Sequence, residues 1–352
     1  MEKTGWIRNE DKRIIEKADK YARNKTHKCL FGGCKNNAIR CHAIPRSSCA
    51  EALADENQLV FTKRPSLSSL VHTIYIDEPV EIIEVGINNA SIFKGYCGYH
   101  DTKLFAPAET QDVEKRKSMC ISLHLRALSL EYCRKRYSCD FFEKIQELSP
   151  SHEAKKFYAK VNEELTTTTS AFKQLLLDRL IYKDHPLAEN VEYLVIPFKG
   201  NFQVSCCGCF TQAKDTIKSH FESVIGYNLI SHRDMSVLTL TTFNSGKEYL
   251  NSYYNNPNFT NNIELLLNDI AFSKGEEPLI TPKLWKSLTA DEQLEVRMAL
   301  RHPMHRPEKT ELKIIKFNSS NSIPKFTSQM LTKLPANISE SVERINEIIG
   351  KQ

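Results

Sequence analysis

Four cysteine and histidine side chains with metal-ligand spacing are the residues in this sequence best suited to chemistry. Cys29 and Cys34 bracket Leu-Phe-Gly-Gly, and the paired glycines allow the tight backbone turn of a zinc knuckle. Cys97 and His100 follow far downstream as a Cys-x2-His pair. Three thiolates and one imidazole match a closed tetrahedral zinc site, a ligand set that oxygen-preferring cations avoid. The spacing therefore predicts structural zinc; the alternative is four unrelated positions.

The segments around these ligands resemble the treble-clef zinc finger, and more narrowly the zinc-bearing HNH (His-Me finger) endonucleases. In that family a knuckle precedes a β-strand with a histidine just before an apolar-Pro pair, and Cys41-His42-Ala43-Ile44-Pro45 takes that place. The family's second knuckle begins a helix and is followed at once by the residue that binds the catalytic metal, here Asp101. The resemblance covers residues 24 to about 109.

This resemblance implies specific catalytic roles. His42 would be the general base, and Asp101 would be an oxygen ligand for a divalent cation such as Mg²⁺ or Mn²⁺. Asn57, Asn88 and Asn89 are candidates for the asparagine of the family pattern.

Composition sets the class of protein. A chain of 352 residues, 41% hydrophobic and 26% charged, is ordinary for a globular protein and predicts two or three domains. Without a run of about 18 apolar residues, no membrane-spanning helix is expected. The first residues, Met1 to Trp6, lack the apolar core of a signal peptide. Eleven cysteines then favour thiols and metal ligands over disulfides. We expect a cytoplasmic protein without a membrane partner.

Charge is distributed unevenly along the chain. Residues 1–48 carry twelve Lys/Arg against five Asp/Glu, residues 49–113 four against ten, and residues 115–136 seven against one. The two basic blocks flank the predicted zinc module, so the fold can join them into one phosphate-facing surface. Arg116, Lys117 and Arg134 are the predicted nucleic-acid contacts. The alternative is two solvated helix faces.

Helical patterns dominate the first half of the chain. Residues 8–26 and 47–54 are predicted helices, and an apolar stripe at steps of three or four residues from Met119 to Leu148 predicts a long one. A helix over 152–182, bent at the threonine run 166–170, would complete an αα-hairpin. Residues 71–76 and 80–85 are predicted strands of a hairpin that extends the zinc module.

Sheet patterns dominate the second half. Residues 191–198 and 202–210 flank Lys199-Gly-Asn201 as a predicted β-hairpin, with further strands at 236–243 and 312–318. Helices are expected near 245–254, 260–270 and 283–301. The predicted class is therefore α+β: a treble-clef module with an N-terminal helix (1–112), a helical hairpin (113–185), and an α+β domain with an antiparallel sheet (186–352).

Three further cysteines, Cys206, Cys207 and Cys209, lie within one predicted strand. Alternation directs Cys207 and Cys209 to one face and Cys206 to the other, which suits buried apolar positions. A second metal site or a redox-sensitive thiol is the alternative interpretation.

Two functions remain open. The chain is a zinc-stabilised nucleic-acid- or protein-binding component, or it is a metal-dependent HNH-type endonuclease with His42 as base. The run from Phe93 to Phe105 is also similar to a signature of poorly characterised bacterial proteins from mobile or antiviral loci, which implies a role in antiviral defence.

Overall fold

A computed structural model describes residues 9–64, 79–110, 116–181, 191–212, 217–232, 235–256, 263–274, 277–301 and 312–316. The described chain mixes helices with an antiparallel sheet, as the α+β prediction requires. The strand predicted at 71–76 lies outside these ranges, as do residues 302–305 and the last two residues, 317–318, of the strand predicted at 312–318.

The N-terminal part alternates short strands with helices. Its elements are α1 (Asn9–Asn24), β1 (Arg40–His42), a π-helical turn (Arg46–Ala50), α2 (Glu51–Leu53), β2 (Leu59–Lys63), β3 (Ile82–Gly86), a 3-10 turn (Ile87–Asn89), β4 (Ile92–Lys94) and α3 (Gly98–Thr110). β1 and β4 form an antiparallel two-stranded sheet in which His42 lies opposite Ile92. The chain then enters α3 directly after β4.

Two long helices follow, α4 (Arg116–Leu148) and α5 (His152–Phe172), which pack against each other. Helix α5 continues without a break through the threonine run at 166–170, where a bend or break was predicted. Thr168 Oγ1 donates to Glu164 O at 2.8 Å, so this hydroxyl is satisfied within the helix. The backbone departs from α geometry only at a π-helical turn, Lys173–Leu177, before α6 (Asp178–Ile181).

The C-terminal part supplies most of the sheet. Its elements are β5 (Val191–Lys199), β6 (Val204–Phe210), α7 (Ile217–Glu222), β7 (Ile225–His232), β8 (Met235–Phe243), α8 (Lys247–Tyr254), α9 (Ile263–Asn268), β9 (Leu279–Ile280), α10 (Pro282–Ser287) and α11 (Ala290–Ala299). The helices expected near 245–254, 260–270 and 283–301 are therefore present. Strands β7 and β9 were not predicted.

The sheet has seven strands in the order β3-β2-β9-β6-β7-β8-β5. The predicted hairpin of β5 with β6 is wrong, since β5 pairs with β8 and β6 with β7. The connection between β5 and β6 instead passes the ends of β7 and β8. Ser231 Oγ donates to Val204 O at 2.9 Å, and Ser236 Oγ donates to Gly200 O at 2.9 Å.

The hairpin predicted to extend the zinc module also belongs elsewhere. β3 pairs with β2, and β2 joins the large sheet through Phe61 opposite Ile280. The centroid of the Phe61 ring lies 5.9 Å from that of Trp285, and Phe61 and Ile82, both partly buried, pack against the apolar cluster of the C-terminal part. The predicted strand at 312–318 is not formed over 312–316, where the amides of Ile314 and Ile315 donate to Asn268 Oδ1.

The cysteines of β6 follow the predicted alternation. Cys206 belongs to one buried cluster, whereas Cys207 and Cys209 contact the other cluster, on the α4 side. The Cys206 and Cys207 side chains are buried, and burial raises the pKa of the Cys207 thiol to about 12. Among the described residues no second group of metal-ligating side chains includes them. Cys206 and Cys207 are core residues, and the partly buried Cys209 packs against the core.

A buried polar layer lies where α4 crosses the sheet. His124 is fully buried, and burial lowers the pKa of its imidazole to about 3, so the ring is neutral. The His124 ring occupies the space that a Cβ atom on residue 226 would need. Its centroid lies 5.6 Å from that of the Phe243 ring, in an edge-to-face arrangement. The missing side chain of Gly226 therefore allows α4 to approach β7.

Gly226→Ala is accordingly expected to lower the free energy of unfolding by about 1–3 kcal/mol, the usual cost of overpacking a core. Urea denaturation measures the loss. Gly86→Ala is the matched control, because its new methyl group would have Gln58 O at 4.0 Å as its nearest neighbour. Equal stability of the two variants would contradict the packing assigned to His124.

Candidate metal centre

The first two ligands lie on a tight knuckle. Cys29 N–H donates to Asn36 O at 2.9 Å, and Cys34 N–H donates to Phe31 O at 3.0 Å. Gly33 has φ of +77°, a left-handed conformation that glycine adopts without strain. This curl brings both thiols to the same side of the turn.

The second ligand pair comes from the start of α3. Leu30 N–H donates to Gly95 O at 2.8 Å, which joins the knuckle to the segment just before Cys97. Cys97 precedes the first helical residue, and His100 lies in the first turn. The Phe31 ring stacks on the His100 imidazole with 4.0 Å between centroids and 12° between planes. The imidazole is therefore held with Nδ1 toward the thiols.

The four ligand atoms meet at one point. Nδ1 of His100 is 3.4 Å from Cys29 Sγ and 3.3 Å from Cys97 Sγ, and Cys34 Sγ is 3.9 Å from Cys97 Sγ. All four atoms lie within 4.8 Å of one another. Tetrahedral zinc with Zn–S of about 2.3 Å requires sulfur atoms roughly 3.8 Å apart. The group that spacing predicted can hold a metal ion, and its donor types and separations fit zinc.

The thiols differ in acidity before a metal binds. The backbone N–H of His100 lowers the pKa of Cys97, because donors at the helix start stabilise a thiolate. Burial raises the pKa of Cys29 to about 11. Since zinc binds thiolates, binding displaces protons, and affinity for the metal increases with pH.

The histidine predicted as general base lies at the end of β1. His42 is half-buried, and its Nδ1 is 3.2 Å from Ala90 O. Burial, together with the nearby Arg46 and Arg126 cations, lowers the pKa of the imidazole. The ring is therefore neutral near pH 7, with Nδ1 engaged by the backbone.

Asp101 follows the last ligand in the first turn of α3. Its N–H donates to Cys97 O at 2.9 Å, and its Oδ1 is buried without a hydrogen-bond partner. The carboxylate lies close to the Cys41 thiol, whose pKa is raised first by burial and then by this negative charge. Asp101 thus faces β1, the strand that ends at His42.

The three predicted nucleic-acid contacts lie on α4. Arg116 is its first residue, and Lys117 is exposed. Arg134 is engaged within the protein, with Glu277 at 3.2 Å and Glu131 at 3.9 Å. Their role in binding phosphate stays a prediction.

Sequence reasoning missed two groups of functional interest. One is a surface pocket on α1 lined by Lys17, Lys20, Tyr21, Asn24 and Lys25. The other is the ion pair of the buried Arg126 with the partly exposed Glu109 at 2.7 Å. Arg126 lies three residues after Leu123 and four before Leu130, so the helical period already places it beside the buried stripe.

Comparison with models of known protein families finds none that matches the chain, and neither the curated proteins nor the solved structures contain a match. None of the described helices combines the length and apolarity needed to cross a bilayer. The function must therefore be argued from the site.

Proposed function

We propose that the chain is a zinc-stabilised nucleic-acid-binding protein, with a treble-clef finger as its metal-bound module. The observation that carries this proposal is the α1 pocket, a surface concavity of about 390 Å³. Three of its five lining residues are lysines, and one is an aromatic residue with 37% of its surface exposed, Tyr21.

The positive charge of the pocket suits a phosphate backbone. Ammonium groups of Lys25 and Lys144 lie 5.4 Å and 5.1 Å from the centre of the Tyr21 ring. Lys25 is held by Asp140 at 2.6 Å, whereas Lys17 and Lys20 form no ion pair with a described residue. Lys17 and Lys20 therefore supply positive charge for the phosphate backbone of a single-stranded nucleic acid.

The metal centre would hold this surface in place. Lys94, the last residue of β4, donates from Nζ to Arg23 O at 2.7 Å, near the end of α1. Lys25 and His27 both contact Asp140 on α4, at 2.6 Å and 2.9 Å. Helix α1 thus contacts the zinc module through Lys94 and packs directly against the long helix α4. A role in an antiviral locus is part of this proposal, and a protein partner is the other outcome of its test.

Lys17→Glu with Lys20→Glu is expected to weaken binding of single-stranded DNA or RNA and to reduce the slope of log K against log[salt] by about 1–2. Each phosphate contact on a single strand contributes roughly 0.7 to that slope. Fluorescence anisotropy from low to high salt measures both quantities.

Lys155→Glu with Lys156→Glu is the matched control, since these exposed α5 residues change the net charge equally. An equal loss of nucleic-acid binding in both double variants would show that overall charge, and not the α1 pocket, accounts for the binding. Absence of binding by the wild type at low salt would exclude the proposal and leave a protein partner.

A second candidate function, a metal-dependent endonuclease, is favoured by the setting of His42. A neutral imidazole whose Nδ1 is engaged by Ala90 O leaves Nε2 to accept a proton from water. The buried, unpartnered Oδ1 of Asp101 suits a hard cation. Bound Mg²⁺ or Mn²⁺ would supply charge stabilisation at the leaving oxygen.

A further inference from the structure

A row of three rings lies on the outer side of the candidate zinc centre. The Phe31 ring stacks on the His100 imidazole with 4.0 Å between centroids. The Tyr99 ring meets the same imidazole at 5.2 Å and 74°, so its edge-to-face contact leaves most of the ring uncovered. Tyr99 is 64% exposed. The metal centre and the α1 pocket do not use this ring, which is therefore open to a partner.

An exposed isoleucine adjoins the same turn of α3. Ile39 N–H donates to Tyr96 O at 2.7 Å, and Ile39 Cδ1 lies 3.8 Å from the position that a Cβ atom on Gly98 would take. Ile39 is 47% exposed. The isoleucine thus lies against the residue that precedes Tyr99, and contiguous exposed apolar surface is a common mark of an interaction site.

The backbone that carries Tyr99 is held on both sides. Tyr99 lies between Cys97 and His100, two of the four candidate zinc ligands, in the first turn of α3. A tyrosine has few side-chain torsions, and a backbone fixed in advance reduces the entropy lost on binding. The position therefore suits a rigid contact surface for a flat partner.

The surroundings of this ring are cationic. Lys103 is exposed and donates from Nζ to Tyr99 OH at 3.2 Å. Lys28 and Lys35, also exposed, each adjoin a ligand cysteine, and none of these three lysines has an ion-pair partner among the described residues. Residues 20–50 contain seven Lys/Arg and no Asp/Glu. The partner is therefore expected to carry negative charge.

A single-stranded nucleic acid combines the two required features. Its unpaired bases have flat faces that stack on aromatic side chains, and its phosphates pair with lysines. An uncharged apolar protein surface would instead remove the water around these cations without supplying a counter-charge.

We infer that Tyr99 is a stacking platform for one unpaired base, with Ile39 beside it and Lys103 placed for a neighbouring phosphate. This inference rests on the proposed function for the strand itself. It adds a contact to the base, whereas the α1 pocket supplies charge for the backbone alone.

The test is fluorescence anisotropy of the zinc-loaded full chain with two labelled probes. One is a short oligothymidylate, and the other is a strand of equal length whose sugars carry no bases. Tyr99→Ala should weaken oligothymidylate binding about 5- to 150-fold, the usual contribution of one stacked base. The slope of log K against log[salt] should not change, because a neutral ring releases no counterions. Affinity for the abasic strand should also stay the same.

Two further variants serve as controls. Phe157→Ala removes an aromatic side chain of similar exposure, 61%, from α5 and should bind both probes as the wild type does. Tyr99→Phe keeps the ring but not the hydroxyl that accepts from Lys103, and it should retain most of the affinity. Zinc content, measured by elemental analysis, should be equal in all variants.

The outcomes separate this inference from the proposed function. Unchanged oligothymidylate binding in Tyr99→Ala, or an equal loss on the abasic strand, would overturn the platform. If Lys17→Glu with Lys20→Glu still weakens binding in that case, the proposed function stands without it. A loss in Tyr99→Ala but not in the lysine variant would retain the platform and exclude the α1 pocket. Absence of wild-type binding to both probes would overturn both and leave this surface to a protein partner.

Discussion

Cys97→Ser is expected to abolish stoichiometric zinc and to unfold the N-terminal module. Wild-type protein should contain one zinc per chain, because three thiols and one imidazole lie at the separations of a closed site. Structural zinc sites have apparent binding free energies of roughly 10–16 kcal/mol, which are also folding free energies. Loss of one thiolate should therefore remove most of the order between the knuckle and α3.

Elemental analysis and amide hydrogen exchange over residues 27–42 and 92–110 measure this result. Cys139→Ser is the matched control, since Cys139 is partly exposed on α4 and its Sγ is 3.5 Å from Thr169 Oγ1, away from the ligands. It should retain zinc and exchange protection. A metal-free wild type with full protection in this region would contradict the assignment of the site.

His42→Ala is expected to reduce any Mg²⁺- or Mn²⁺-dependent nicking of nucleic acid by roughly 10²- to 10⁴-fold, the usual contribution of a general base. Zinc content and melting temperature should change little, because the ring is only half-buried and none of the four zinc ligands is altered. Nicking of supercoiled plasmid, followed by gel electrophoresis, provides the readout.

The pH dependence of nicking gives an independent check. A general base acts only in its neutral form, and burial lowers the pKa of His42 from the ordinary value of 6.5. The rate should therefore decline only below about pH 6.5 and be constant from there toward neutral pH. A rate that keeps increasing well above pH 7 would assign the base to another group.

Two variants distinguish catalysis from structure. Asp101→Asn should weaken nicking, with partial recovery at high Mg²⁺, whereas His152→Ala on the exposed start of α5 should have no effect. If the wild type does not nick and Asp101→Asn only loses stability, Asp101 instead stabilises the N-terminus of α3, where a carboxylate is favoured.

Local patterns in the sequence were sufficient for the ligands and for most helices. The Cys29 to His100 group could be predicted because soft ligands at knuckle spacing have few other uses. Helix α4 ends at Leu148 as the apolar stripe indicated, since a periodicity of 3.6 residues is a local property. The opposite faces of Cys206 and Cys207 likewise follow from strand alternation.

Tertiary structure alone determined which strands pair and which charges are free. β5 pairs with β8 more than 35 residues later, and β2 reaches β9, because strand partners are chosen by burial of whole faces rather than by the nearest turn. Arg134 and Arg126 are indistinguishable from surface arginines in a charge count. Only packing of α4 against the sheet and α3 pairs the first with Glu277 and buries the second beside Glu109.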